Sequence, residues 1–512
     1  MMRLISGGAA FIAAFLVSQM VLAQDVTLTS RNGGLSLSGQ LLAYDGEFYR
    51  VESDYGRLTV DAEGVICEGP ACPELTAPLA IIRVTGAGEA AGRLLPPLFA
   101  AFARGRGLTY QTVAPAPDFT AEITDPGTGP RGGQPLARIS FTPALLGEAL
   151  DGLRNERVEM VLSGAAPPGV RVRALALDPL IPVMAAENLL PKISSRALAA
   201  ALRGEVDNWK ALGGSDMPIV VHALTPDHPL QQAAEARLGG EFAPGPRHPD
   251  AASLAAAVAR DPWALGLTGQ SVQGAARAIP LTDSCGFPLP ATALTVKAED
   301  YPLTAPLFLL TPNRRMPLLL REFLEFLATD AAGQVIADAG YIDRRMGRAP
   351  LTEDGQRLLG AIRVAGTEVK LAELKRLAVA MTGGDRLSLT FRFQDGSAQL
   401  DALSRENLGD LARQIAAGRF AGETLALAGF SDGTGAADAN LALSRSRAEA
   451  VRLALRDIAP DLGPEQLPGV LAFGEALPMA CDTTAAGRQI NRRVELWAHP
   501  TPPEEPDVAT GD

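Results

Sequence analysis

Leu425-Ala-Leu-Ala-Gly-Phe430, followed by Ser431-Asp-Gly-Thr-Gly435 and then by Asn440-Leu-Ala-Leu-Ser-Arg-Ser-Arg-Ala448, decides how the last part of this 512-residue chain folds. The first segment is a short apolar run that reads as a buried strand, the second a Gly-rich turn, the third part of a helix. Along that helix Ala448, Val451 and Leu455 share one apolar face, while Arg445, Glu449 and Arg452 point elsewhere. Upstream, Leu387-Ser-Leu-Thr-Phe-Arg-Phe393 alternates as a strand, Gln394 to Ser397 is a loop, and Leu403 to Ile415 carries a helical period. Downstream, Gly487-Arg-Gln-Ile-Asn-Arg-Arg-Val-Glu-Leu496 is a loop entering a final strand. The expectation is an α+β domain over 385–499.

Three features in order, a short Asp-x-x-Gly loop at Asp432, an Asn before Leu-x-Leu-Ser-x-x-Arg-Ala, and a terminal Asn491-Arg-Arg-Val-Glu495, resemble the OmpA-like peptidoglycan-binding family. The usual Gly-His-Thr-Asp of that family stands here as Gly429-Phe430-Ser431-Asp432, so a hydroxyl is kept and the His is lost. The resemblance implies that Asp432 and Arg447 clamp the diaminopimelate of a wall stem peptide, carboxylate to ammonium and guanidinium to carboxylate. Physical chemistry supports that division of labour, because a zwitterion needs one acceptor and one bidentate donor held at fixed separation. By the same implication Ser431, Asn440, Arg488, Asn491 and Arg492 line or brace the site. The competing structural reading is that Asp432 caps the next element and Arg447 pairs with a neighbouring acid. Gly429 to Gly433 also satisfies the G-x-S-x-G nucleophile elbow, but that motif needs a strand turning straight into a helix, and the only later His is His499.

Between Pro78 and about Tyr341 strands alternate with helices, which reads as an α/β domain over 78–345. Its entry runs from Leu79 to Val84, through Thr85-Gly-Ala-Gly88, into the amphipathic stretch Leu94 to Ala103. Leu202-Arg-Gly-Glu-Val-Asp-Asn-Trp209 to Gly214, then Met217-Pro-Ile219, reads as a helix end, a turn and a Trp-anchored strand entry. With Leu265-Gly266 after Arg260-Asp-Pro262, Tyr301-Pro-Leu303, and Gly333-Gln334 before Gly340-Tyr341, it resembles phosphate ABC-transporter substrate-binding proteins. That resemblance implies a bilobal periplasmic-binding-protein fold with a cleft between lobes. The expected cleft residues are Thr85, Gly86, Ala87, Gly88, Ser163 and Thr225. A strand-to-helix turn with free N–H groups is a natural anion site, but Glu89 puts a negative charge in its first helical turn. The family's Ser-Gly-Thr loop is replaced here by His222-Ala-Leu-Thr-Pro-Asp-His228, so the fold carries over and the ligand does not. Gly86-Ala-Gly-Glu-Ala-Ala91 also fits a dinucleotide fingerprint, but no acidic residue follows among Gly105 to Val113. His222, Asp227 and His228 lack helical spacing and read as surface loop residues, not metal ligands.

The remaining segments frame these two. Arg3, the apolar run Ala9 to Val17 and Val21-Leu-Ala23 read as a signal peptide over 1–23. Residues 24–75 alternate in short runs between turns such as Asn32-Gly33 and Asp45-Gly46, predicting a small antiparallel β module. Residues 346–384 read as a linker with some helix, and 500–512 as a disordered tail. Cys67 and Cys72 bracket a turn-rich loop that can close a disulfide, leaving Cys285 and Cys481 as the other pair among the three pairings four cysteines allow. A net charge of -12 argues against nucleic acid.

Together these features imply a multidomain α/β and α+β protein: a β module, a substrate-binding-like domain and an OmpA-like domain. Its expected place is the periplasm of a Gram-negative-type envelope, associated with peptidoglycan or the outer membrane. It is expected to need no cofactor or metal and to be no enzyme, with a cleft for a small ligand such as phosphate or another oxyanion. The alternative is a structural adaptor that links the wall to an envelope complex, its cleft vestigial.

Overall fold

The computed structural model describes residues 26–501 apart from 32, 45–46, 73–78, 116–117, 128–132, 365–368 and 395–398. The signal peptide, the tail from residue 502, the turn residues Asn32, Asp45 and Gly46, and the loop 395–397 lie outside the described residues. Pro500, expected in the tail, instead ends the last strand, and the Thr501 N–H donates to Gly422 O at 2.9 Å.

The N-terminal part, up to Ala80, is a compact unit of its own. Five antiparallel strands lie in the order Gly56–Asp61, Phe48–Ser53, Ser36–Tyr44, Val26–Ser30, Val65–Glu68. Alternation turns Val26, Leu28, Tyr49 and Val51 inward, as a period of two requires. The Cys67–Cys72 disulfide closes the end of this sheet.

The second unit holds the other two domains. In the first of them a mixed sheet is organised around two long strands, Arg171–Met184 and Thr304–Thr311. The first half of Arg171–Met184 pairs with Thr304–Thr311, and its second half with Ala264–Gly269. One lobe therefore gathers around Ala80–Gly86 and Met160–Ser163, which pair in parallel, and the other around Ala264–Gly269 and its parallel neighbour Val220–Leu224. Trp209 is fully buried and donates from Nε1 to Trp263 O at 3.0 Å, so the Trp-anchored entry read from the sequence is a core feature.

The C-terminal domain is a five-stranded sheet in the order Arg348–Pro350, Asp385–Phe391, Arg493–Pro500, Glu423–Phe430, Gly469–Ala472. Helices Ala402–Ala416 and Ala437–Ile458 cover one face, and there Ala448, Val451 and Leu455 pack on Leu427 and Leu496. The next residues along the same strands, Ala428 and Trp497, face the other way and meet Ala361, Leu377 and Met381. Those three belong to helices Leu351–Val364 and Leu371–Met381, so the stretch expected as a linker covers the second face of the sheet and supplies its edge strand. A sheet with two apolar faces needs both covered, which is the reason this segment is folded. Among the described residues no helix is long and apolar enough to cross a membrane.

Candidate functional site

The strand Glu423–Phe430 runs directly under the helix Ala437–Ile458, and Gly429 is what lets them meet: a Cβ there would stand 2.1 Å from Ser444 O. Between them the loop Ser431–Ala436 projects Asp432. Its Oδ1 accepts from the Thr434 N–H at 3.0 Å and its Oδ2 from Arg492 Nη1 at 3.2 Å. Burial opposes ionisation of Asp432, but these donors outweigh it and hold the carboxyl below its ordinary value. Arg447 projects from the helix into the same field. Burial, then the like charge of Arg492, lowers its pKa, and Asp432 acts in the opposite sense. Two polar atoms here are buried with no hydrogen-bond partner among the described residues, Nη1 of Arg447 and Oγ of Ser431. Buried polar atoms are seldom left without a partner.

The other expected residues are each held by hydrogen bonds of their own. Asn440 is buried and donates from Nδ2 to Glu475 Oε2 at 2.5 Å. Asn491 accepts from the Met479 and Ala480 N–H groups and donates to Ala480 O and Asp482 Oδ1. Arg488 donates to Asp482 O at 2.8 Å, and Asp482 Oδ2 accepts from the Gly433 N–H at 2.8 Å. Asn491 and Arg488 therefore act through Asp482, which sequence reading did not single out. Phe430, standing where the family has His, is fully buried, stacked on Phe473 and covered by the Arg493 guanidinium at 4.3 Å. It belongs to the core, not to the loop.

The loop at Asp482 is tied to the other domain. Cys481 forms the disulfide with Cys285, and its N–H donates to Asp283 Oδ2 at 2.6 Å. Asp283 Oδ1 is held in turn by the N–H groups of Cys285 and Phe287.

In the middle domain a cleft of about 560 Å³ opens between the lobes. Gly86, Ala87, Gly88 and Ser163 line it as expected. Gly86 has φ 122°, and a Cβ there would lie 2.0 Å from Leu162 O, so only glycine fits the turn. Thr85 and Thr225 are not among the lining residues. Thr85 is buried and spends its hydroxyl on Thr142 O at 2.7 Å, while the Thr225 N–H is taken up by His248 O at 3.0 Å. Nor are both histidines on a surface loop. His222 lies buried in the strand Val220–Leu224, bonded to His248 at 3.1 Å and Asp261 at 3.2 Å. His228 lines the cleft and caps the helix Pro229–Leu238 by accepting from the Leu230 N–H.

Two acids of the cleft lie outside the expected set, Asp178 and Glu89. Asp178 interrupts the apolar strand Arg171–Met184; it accepts from the N–H and Oγ of Ser271, and burial pushes its pKa up to about 6. Glu89 crosses the cleft and accepts from the N–H groups of Ala251 at 3.1 Å and Ala252 at 3.3 Å. The basic side chain here, Arg237, is occupied by Ala233 O and Thr304 O.

Residues 392–492 match the model of the OmpA family, and residues 161–331 that of a PBP superfamily domain. Among curated proteins the chain is similar to "Probable lipoprotein YiaD" of Escherichia coli (strain K12), 31% identical over 139 residues, which is 26% of this chain and 61% of that protein. The chain thus spans less than two thirds of that relative's length. Among solved structures it is similar to an ABC-type phosphate transport receptor from Vibrio cholerae, 17% identical over 51% of this chain and 99% of that one, with a TM-score of 0.39. It is also similar to PstS from Borrelia burgdorferi, 14% identical over 52% and 98% of the two chains, with a TM-score of 0.36.

Proposed function

We propose, on the premise of a PBP superfamily domain at 161–331 followed by an OmpA family domain at 392–492, that this chain is a non-enzymatic binding protein held on peptidoglycan in the periplasm. The C-terminal domain grips the diaminopimelate of a stem peptide without forming a covalent bond. Asp432 receives the ammonium and Arg447 the carboxylate, with Ser431 adding a neutral hydrogen bond. The observation that supports this is the pair of unpartnered buried atoms, Arg447 Nη1 and Ser431 Oγ, around a carboxylate kept ionised. The middle domain presents a cleft to a small ligand.

Sedimentation with purified peptidoglycan tests the anchor. Wild type is expected to pellet, and Asp432→Ala and Arg447→Ala to stay in solution. Equal sedimentation of all three proteins would falsify the assignment.

A second reading, a structural adaptor between the wall and an envelope complex, draws support from the way Glu89 fills one wall of the cleft. Thermal-shift screening separates the two readings. A ligand at a hundred times its dissociation constant adds about 2.7 kcal/mol of stability, and no shift with any small molecule favours the adaptor.

A further inference from the structure

Four helices begin at the cleft: Gly88–Gly105, Leu146–Arg154, Pro229–Leu238 and Ala251–Val258, each with its first residues in the lining. Their positive ends converge on one space, and these dipoles favour an anion there against the carboxylates of Asp178 and Asp227 in the same lining. The last of them is nevertheless fully provided for. The N–H groups of Ala251 and Ala252 go to the two Glu89 oxygens, that of Ser253 to Asp250 Oδ1 at 2.7 Å, and that of Leu254 to Asp250 O at 3.1 Å. An incoming oxyanion would find no donor on that helix end, and would meet a carboxylate lying where it should sit. His228 Nε2, 3.9 Å from Glu89 Oε2, faces the same carboxylate.

We infer that Glu89 is the cleft's own anion: a tethered carboxylate that occupies the donors of the opposite lobe, bridges the two lobes and bars free oxyanions. This rests on reading the space as a ligand cleft. Geometry supports the bridge. Glu89 stands in the first turn of the helix that follows Ala80–Gly86 in one lobe, and Ala251 and Ala252 open the helix that precedes Ala264–Gly269 in the other. One side chain therefore contributes two hydrogen bonds to closure, made to a charged acceptor and partly shielded from water. Specificity follows by occupation: removing the carboxylate leaves the donors of Ala251 and Ala252 empty at the meeting point of four helix N-termini, with Asp178 and Asp227 as the remaining cleft carboxylates.

Calorimetry and thermal shift on the full chain with inorganic phosphate and with sulfate, for wild type, Glu89→Ala and Glu89→Gln, decide it. Wild type is expected to give no heat and no shift. Glu89→Ala is expected to bind phosphate, with a melting temperature that climbs as phosphate is added, and to expand in small-angle scattering until phosphate is present. Glu89→Gln keeps the size and loses the charge, so it is expected to bind more weakly than Glu89→Ala and still better than wild type, and it decides the matter if the alanine variant does not fold. Wild type binding phosphate as tightly as the variants overturns the inference, as does a folded variant that takes up neither anion. The wider cleft reading fails on a separate arm, a wild type that no sugar, amine or amino acid stabilises.

Discussion

Asp432 is paired with Arg492, Oδ2 to Nη1 at 3.2 Å, while Nη1 of Arg447 stands beside them unpartnered. The two arginines therefore have different roles in the anchor reading: Arg492 poises the carboxylate, and Arg447 waits for the ligand. Hydrogen bonds to charged groups contribute about 1.5–3 kcal/mol, so Arg447→Ala is expected to weaken binding of a diaminopimelate-containing muropeptide by about 10- to 100-fold. Arg447→Lys is expected to recover little, because a point charge cannot make the paired contacts of a guanidinium. Arg492→Ala is expected to cost less than Arg447→Ala in the same titration. The reverse ranking would reassign the ligand to Arg492.

How much of this was legible beforehand depends on the range over which a residue acts. Ala448, Val451 and Leu455 declare a buried face by spacing alone, and they are buried. Gly86 and Gly88 announce a tight strand-to-helix turn through local sequence, and the turn is there. Glu89 reads locally as a charge in a first helical turn; its partners lie more than 160 positions away, and no local pattern reports them. Asp178 is hidden for a related reason, since a polar residue in an apolar strand shows its use only once Ser271 is seen against it. Thr85 reads as a ligand hydroxyl because sequence cannot tell a hydroxyl facing a cleft from one turned to Thr142 O. His222 reads as a loop residue because the strand Val220–Leu224 is short and runs into a Pro-rich segment.

The disulfide Cys285–Cys481 joins residues 196 positions apart and fixes the segment that carries Asp482. Replacing both cysteines by serine is expected to lower stability by about 2–4 kcal/mol. The effect should reach the Asp432 loop: amide exchange at Gly433, whose N–H is held by Asp482, is expected to quicken in the serine variant. Unchanged exchange at Gly433 would mean that Asp283 and Asn491 hold the segment unaided.

Asp178 makes the cleft sensitive to pH. Its carboxyl moves from an ordinary 3.8 up to about 6 on folding, so the native state binds the extra proton between those values. Stability must then fall as pH rises through that window and level off above it, a loss of about 3 kcal/mol in all. Asp178→Asn removes the titration. Subtracting its unfolding free energies from those of wild type across pH 4 to 7 is expected to isolate this decline. A difference that does not change with pH would show that Asp178 titrates as an ordinary carboxylate.

Glu495 gathers three arginines in the core. It has no solvent exposure, and its carboxylate lies 2.7 Å from Arg357, 2.7 Å from Arg493 and 3.5 Å from Arg386, with Trp497 Nε1 donating at 3.1 Å. Burial opposes its ionisation, but the three guanidinium groups prevail and hold the carboxyl well below 4.5. Arg357 comes from the helix Leu351–Val364, Arg386 and Arg493 from neighbouring strands, and Arg386 also reaches Asp300 of the middle domain at 2.7 Å. One carboxylate thus fastens a covering helix to the sheet and faces, at 3.5 Å, an arginine that reaches the other domain. Glu495→Gln preserves shape and the Trp497 bond while leaving buried cations uncompensated, so about 3–5 kcal/mol of stability should be lost at neutral pH. Because the folded pKa is depressed, the contribution is complete above 4.5 and is lost progressively as pH falls from there through the lower value, so wild type and variant should converge in acid. Adding Arg493→Met to Glu495→Gln removes one stranded cation and is expected to restore part of the loss. If the double variant is less stable than the single one, packing of Arg493 on Phe430, and not its charge, is what this core requires.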